Sequence, residues 1–276
     1  MKPAPFSYEK PGSLDLAIKS LAQTGSEARL LGGGQTLGPM LNLRLATPAR
    51  IVDLGSVDSL RRIERRGTTL TIGAGVTHAT IEDRSDPTPT GRLLSYVAST
   101  IAFRAIRNRG TIGGSLAHAD PAADWVTVMR LLDARISLAG PSGVRRVQAR
   151  EFFKGAFSTD LRPDEIIETI DIDELSDEAR WGYYKICRKV GEFPEATGAI
   201  VLDPARRMAR VIAGALEGPP VPLPDLAVAV ARDGIAAAAL AAVKRALESA
   251  VSGLSAVDLQ IHAVAVRRAI SQAIAP

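Results

Sequence analysis

The sequence predicts an α+β chain: a glycine-rich, mixed α/β region running to about Asp164, then a smaller region of strands followed by helices. Three observations predict it. Short apolar runs alternate with stretches of helical period through the first part. Two glycine-rich turns, Gly32–Gly38 and Gly110–Gly114, interrupt that alternation. After Pro219 the composition shifts, and Pro219, Pro220, Pro222 and Pro224 lead into two Ala-rich amphipathic segments. No repeat of 20–50 residues is present.

The elements follow in order. Ser13 to Gln23 reads as a helix, with Ser13 as N-cap, Leu14, Ala17, Ile18 and Leu21 on one face, and Gly25 as its end. Ala28 to Leu31 is a short apolar run feeding the first glycine turn, and Arg50 to Leu54 reads as a buried strand. Arg65 to Gly75 alternates as a hairpin turning at Gly67. Thr77 to Ile81 opens a short helix, and Gly91 to Asn108 reads as one long helix through Leu94, Val97, Ala98 and Ile101. Asp124 to Leu132 is helical. Ala134–Leu138, Glu165–Asp171, Tyr183–Arg188 and Ala196–Leu202 read as strands. Ile235–Val251 and Ser255–Ala273 are the closing helices. Residues 1–164, in parts of about 1–55 and 56–164, form one expected domain and 165–276 the other.

Composition narrows the function. With 276 residues, 46% hydrophobic and 23% charged, the chain can bury a sizeable core and is not disordered. The lone Cys187 excludes an internal disulfide, a Cys-only zinc site and an iron–sulfur cluster held by this chain alone. No apolar run approaches the roughly 20 residues of a membrane span. Met1 to Lys10 lacks a basic-then-apolar pattern, so a cytoplasmic location is expected. The net charge is +4, but the arginine pairs are scattered and aromatics are 4%, which argues against a nucleic-acid surface.

The chemistry sits in the glycine turns. In Leu30-Leu31-Gly32-Gly33-Gly34-Gln35-Thr36-Leu37-Gly38, four glycines fall within seven positions directly after an apolar run. Glycines let backbone N–H groups approach an anion closely, as in a pyrophosphate cradle. Leu37 stands where a dinucleotide G-x-G-x-x-G needs glycine, and Pro39 where a P-loop needs lysine, so neither standard loop is present. The second turn, Gly110-Thr111-Ile112-Gly113-Gly114-Ser115, adds hydroxyls at Thr111 and Ser115. Asp120 and Asp124 follow it; either is a candidate acceptor for ribose hydroxyls, against a turn at Asp120-Pro121 and a helix N-cap at Asp124. Two such turns in one fold could take the two sides of a pyrophosphate.

Leu31–Leu37 and Gly110–Pro121 resemble the two FAD-binding segments of the flavoprotein (medium) subunits of molybdenum hydroxylases. The opening Pro5-Phe6-Ser7-Tyr8, the segment Lys185–Phe193 and the terminal Val266–Ile270 are similar as well. The resemblance implies a vanillyl-alcohol-oxidase-type FAD-binding fold of two α/β subdomains, followed by a small C-terminal α+β domain. It implies non-covalent FAD, with Leu30 to Gly38 and Gly110 to Ser115 lining it. It implies that Asp124 reaches the FAD sugar and that Ile101, Ile167 and Lys185 contact the cofactor. It implies that Phe193, with Gly191 and Glu192, packs over the isoalloxazine. His118 is a candidate near FAD, with a structural hydrogen bond as its alternative. Here Gly32 replaces a commoner Ala, Ser115 a frequent Asn, and Phe193-Pro194 a Tyr-Ala pair.

The resemblance also implies partners: a large molybdopterin subunit and a small subunit with two 2Fe–2S clusters, in a heterotrimer that itself dimerises. This chain would then be the electron-transfer subunit, an oxidoreductase component inactive on substrate alone. Arg104, Arg107 and Arg109 form an expected basic rim for the cluster-bearing partner. The rival readings are a stand-alone FAD oxidase or dehydrogenase of the same fold and a flavin-free structural module. His78 reads as a turn or capping residue, His262 as surface, Cys187 as a buried strand residue, and Trp125 and Trp181 as core or interface. The three scattered histidines are not expected to hold a metal.

Overall fold

The computed structural model describes residues 2–24 and 27–275. Gly25, the expected end of the first helix, lies outside them.

The chain opens with a parallel sheet. Strand β1 (Ser7–Glu9), helix α1 (Leu14–Thr24), β2 (Ala28–Leu31), helix α2 (Leu37–Asn42) and β3 (Arg50–Asp53) alternate, and the strands lie in the order β1-β3-β2, both pairs parallel. Ser13 accepts from the Leu16 amide at 3.3 Å, as an N-cap hydroxyl does. The α1 stripe Ala17–Leu21 packs on Ala28 and Val52 beneath it.

A larger antiparallel sheet follows. The hairpin β4 (Ile63–Arg66) and β5 (Thr69–Gly73) turns at Gly67 with φ +59°. Then come α3 (His78–Glu82), α4 (Pro89–Thr100), α5 (Arg104–Arg107), α6 (Ile112–His118), α7 (Asp124–Leu132), β6 (Arg135–Gly140), β7 (Gly143–Gln148), α8 (Ala149–Phe152), β8 (Phe153–Gly155), β9 (Ser158–Thr159) and β10 (Ile166–Asp173). The sheet order is β4-β5-β10-β6-β7. Its apolar face, with Leu70, Ile72, Ile136, Leu138 and Ile170, buries against Leu93, Val97, Ile112, Leu116, Trp125 and Met129 of the helices.

Two expectations change here. The boundary at Asp164 assigned Ile166–Asp173 to the C-terminal region, yet β10 is hydrogen-bonded between β5 and β6 and completes the sheet. A strand's buried apolar run looks the same whichever sheet takes it up. Nor is Gly91–Asn108 one helix. It ends at Thr100, Ala102 adopts φ +40°, and the Arg107 guanidinium donates to the carbonyls of Ile101 and Ala102 at 2.9 and 3.1 Å. That side chain satisfies backbone oxygens a continuing helix would have used.

The remainder is a four-stranded antiparallel sheet, β11 (Arg180–Ile186), β12 (Ala196–Asp203), β13 (Met208–Gly214) and β14 (Val221–Pro222), in that order. Helices α9 (Pro224–Asp233), α10 (Leu240–Ala250) and α11 (Ala256–Ile274) follow, with Ser255 capping α11 through the Asp258 amide. Every residue of β12 is buried, because α11 covers one face and α7 the other. The expected helix Ile235–Val251 is shorter, and α9 begins inside the expected connector. Pro224 is its first residue, a position where the missing N–H costs nothing. Cys187 falls one residue past β11 and is half-buried, not a buried strand residue.

Candidate cofactor-binding cleft

The two glycine turns meet. A Cβ built on Gly33 would stand 1.9 Å from the Arg109 carbonyl oxygen, and one on Gly32 2.9 Å from Thr111 Oγ1. Between them and the surrounding loops lies a cleft of about 1160 Å³. That is above the range of about 300–1,000 Å³ usual for small-molecule sites and suits a large ligand.

The backbone accounting separates the turns. In the first, the amides of Gly33, Gly34, Gln35, Thr36 and Leu37 find no acceptor among the described residues; Gly34 turns the chain at φ +74°, and the next amide, Gly38, donates to Gly34. A row of unpaired N–H groups facing a cleft is an anion-binding concavity. In the second turn most donors are already used, the Thr111 amide alone finding no acceptor among the described residues. Ile112 donates to Val76, Gly113 to Ala74 at 2.9 Å, Gly114 to Thr111 Oγ1 and Ser115 to the Thr111 carbonyl. The second turn is the first turn of α6, with Thr111 as its N-cap. It supplies a wall with the single free amide of Thr111 rather than a second row of free donors. Gly113 is glycine because its Cβ would meet Ala74 Cβ at 2.5 Å, a contact inside the protein.

Asp124 is at the mouth of a buried polar cluster. It is the first residue of α7 and caps nothing, which overturns the N-cap alternative. Its Oδ1 accepts from Tyr183 Oη at 2.6 Å and from Lys185 Nζ at 2.9 Å; Lys185 also donates to the Thr100 carbonyl at 2.8 Å. Burial, and then the Asp124 carboxylate, raise the Tyr183 hydroxyl well above its ordinary pKa, so it stays a donor. Oδ2 has no partner among the described residues, and Asp124 lines the cleft. Lys185 does not line it. The lysine holds Asp124 from behind.

His78 is not a capping residue. Thr77 caps α3, and the His78 side chain is buried, with Nδ1 taking the Trp125 indole N–H at 3.0 Å. Burial, with a smaller contribution from the nearby Arg107 charge, lowers its pKa to about 4. His262 is buried rather than at the surface, against the carbonyls of Asp258 and Ala215. His118 lines the cleft, stacks near Phe157 at 5.1 Å and makes no side-chain hydrogen bond among the described residues. Asp120 accepts from the Ala122 amide, a turn contact.

The basic rim is largely neutralised. Arg104 pairs with Glu82 and Asp83, and Arg107 grips both oxygens of Glu82 at 2.8 and 2.9 Å. Arg109 alone of the three is exposed with no side-chain partner among the described residues, and it lines the cleft.

Of the expected site residues, Leu30, Gly32, Gly33, Gly34, Gln35, Thr36, Leu37, Ile101, Gly110, Thr111, Gly113, Gly114, Ser115, His118, Asp124, Ile167 and Phe193 line the cleft. Leu31, Gly38, Ile112 and Lys185 do not. Ile112 is fully buried in the core, and Gly38 faces open space on α2. Sequence reasoning missed Ala74 to His78, Asn108, Leu161 to Pro163, Glu165 and Ile166. The run Gly73-Ala74-Gly75 before the Thr77 cap was a readable sign of close backbone approach; the 161–166 loop carries no such sign.

A deep cleft walled by two interlocked glycine turns, with free amides on one side and a buried carboxylate on the other, defines a nucleotide-cofactor protein. Residues 4–173 match the family described as FAD binding domain in molybdopterin dehydrogenase, and the chain belongs to that family. It is 38% identical over 206 residues to the carbon monoxide dehydrogenase medium chain of Hydrogenophaga pseudoflava, covering 73% of this chain and 70% of that one. It is 36% identical to the nicotine 6-hydroxylase medium subunit of Paenarthrobacter nicotinovorans, covering 74% and 71%. Among solved structures, a chain of quinoline 2-oxidoreductase from Pseudomonas putida 86 aligns with a TM-score of 0.89 at 31% identity, covering 99% of this chain and 98% of that one. One of carbon monoxide dehydrogenase from Oligotropha carboxidovorans aligns at 0.91 and 29% identity, covering 100% and 99%.

The residues present fit FAD. The free amides of Gly33 to Leu37 and the Arg109 guanidinium suit a pyrophosphate, and the free oxygen of Asp124 suits a sugar hydroxyl.

Proposed function

We propose that this chain is the FAD-binding, electron-transfer subunit of a heterotrimeric molybdenum hydroxylase or dehydrogenase. The observation that carries the reading is the row of unpaired amides from Gly33 to Leu37 beside the second glycine turn at one cleft, in a chain of the FAD-binding family. When bound, FAD supplies the relay between one-electron iron–sulfur donors and an external acceptor.

The protein's part is binding and orientation. Gly33 to Leu37 and Arg109 hold the pyrophosphate, and Asp124, fixed by Tyr183 and Lys185, holds the sugar. Ile101, Ile167 and Phe193 supply apolar walls. Leu31, Gly38, Ile112 and Lys185 act from behind the lining. In this reading the FAD-binding unit has the vanillyl-alcohol-oxidase-type architecture of two α/β subdomains and ends after Asp173, where β10 leaves its sheet. The C-terminal α+β domain follows. The partners are a large molybdopterin subunit, where substrate is hydroxylated, and a small subunit with two 2Fe–2S clusters, assembled in the cytoplasm as a dimer of heterotrimers.

The test is visible absorption with co-purification. Yellow protein accompanied by a large and a small polypeptide is expected, with substrate bleaching the flavin only in the assembled complex. Turnover of an organic substrate by the isolated yellow chain would overturn the subunit reading, and a colourless chain that FAD cannot reconstitute would overturn the cofactor.

A further inference from the structure

His78 carries an unused donor beneath the cofactor cleft. The indole N–H of Trp125 can only donate, so the ring nitrogen it meets at 3.0 Å, Nδ1, must be an acceptor. In the neutral imidazole the proton then sits on Nε2. The ring is 6% exposed, and Arg107 beside it, itself paired with Glu82, disfavours a second proton. Nε2 lies under the second glycine turn, so close that a Cβ on Gly110 would meet it at 2.8 Å. It has no acceptor among the described residues. Nε2 is not sealed from solvent, and His78 contributes to the cleft wall. Its Nε2–H is therefore left for water or a ligand in the cleft to accept. A nearly buried ring held in one tautomer with its donor opening on the cleft is built for a ligand acceptor.

The geometry points to His78 as a further binding residue of the cleft: a neutral, tautomer-locked imidazole whose Nε2–H donates to an acceptor atom of the bound dinucleotide. The inference rests on the FAD reading above. Trp125 is the positioning residue, since its indole fixes which nitrogen carries the proton. The backbone sets the distance: the His78 amide donates to the Gly110 carbonyl at 2.9 Å, tying α3 to the same turn that walls the cleft. A cationic histidine would have served a phosphate more strongly. A neutral one serves an acceptor whose charge is already met by the amides of the first turn and Arg109.

Two side chains separate the two nitrogens. Asparagine at 78 can place its amide oxygen near Nδ1, keeping an acceptor for Trp125 while removing the donor into the cleft. Glutamine can place an amide N–H near Nε2, keeping the donor. Equilibrium dialysis of the full chain against FAD is expected to show His78→Asn weakened about tenfold with its melting temperature close to wild type. His78→Gln should keep most of the affinity and lose some thermal stability instead. Equal FAD affinity of His78→Asn and wild type would overturn the inference. If His78→Asn does not fold, nitrogen-15 histidine spectra of the wild-type chain decide. The chain has three histidines, and His118→Gln assigns the other one at the cleft. The His78 signal should show an Nε2–H tautomer whose proton shifts and exchanges more slowly when FAD is added; an Nε2–H signal indifferent to saturating FAD would overturn it. Absence of saturable FAD binding to wild type would instead remove the FAD reading, and this inference with it.

Discussion

Gly33 and Arg109 lock the two glycine turns together: the Gly33 α-carbon faces the Arg109 carbonyl so closely that a methyl group would stand 1.9 Å from the oxygen. The pair lies 76 positions apart in the chain, and it decides the shape of the cleft.

Gly33→Ala is expected to push the turns apart and lose most bound FAD, with thermal stability lowered as well, because the obstacle is backbone that cannot swing aside. Gly38→Ala is the control. Nothing lies within 4 Å of its added carbon, and alanine is the better helix former by about 0.5–1 kcal/mol. Flavin stoichiometry and melting temperature on both variants check this; equal stoichiometry in the two would contradict the interlock.

Asp124→Ala strips a buried tyrosine hydroxyl and a buried ammonium of their shared acceptor. Breaking one partner out of a buried pair costs about 3–5 kcal/mol, more than loss of a helix cap would. Urea denaturation should show a loss of that order together with weakened FAD binding. Asp124→Asn, which keeps one acceptor oxygen, should lose less of both.

Acid should destabilise the chain through His78. Its folded pKa, about 4, lies below the ordinary 6.5, so between those values the unfolded state binds the extra proton. Stability is intact above about pH 6.5 and falls as pH drops toward 4, by up to roughly 3 kcal/mol. His78→Asn should flatten that part of the stability–pH curve; a slope unchanged by the substitution would place the titration elsewhere.

Glu82 is also shifted down, but by its ion pairs rather than by burial. The Arg107 hydrogen bonds, and then the Arg107 and Arg104 charges, hold its carboxyl below the usual 4.5 against the opposing effect of burial. A depressed carboxyl contributes stability that is present above 4.5 and lost as pH falls through the lower folded value. Arg107→Leu should cost roughly 2–4 kcal/mol at neutral pH and reduce this acid-limb loss, Arg104 still holding Glu82. It should also loosen the Ile101–Phe103 break, whose carbonyls Arg107 holds, and so weaken FAD binding.

The helix break itself was not legible. Leu94, Val97, Ala98 and Ile101 continue a helical period without interruption, and what stops the helix at Thr100 is a guanidinium returning from Arg107 to two backbone oxygens. Likewise α9 was hidden because Pro222 and Pro224 read as loop, although a proline at a helix start is favourable. The Asp124 cluster was half legible. Asp124 stood out as a candidate acceptor, but Tyr183 and Lys185 come from a strand some sixty residues on, and no local pattern announces that they meet it.

By itself the sequence determined the two glycine turns, the first helix with its Ser13 cap, the hairpin at Gly67, the terminal helix and the resemblance that names the cofactor. Those are local matters: glycine permits close approach, alternation buries one face, serine caps a helix. The tertiary structure alone decided which turn keeps its amides free, since Gly113 and Ile112 spend theirs on Ala74 and Val76, residues nearly forty positions earlier. It also decided which arginine is free and which histidine nitrogen is a donor. Each of these depends on who occupies the other end of a hydrogen bond, and that is settled when distant segments pack.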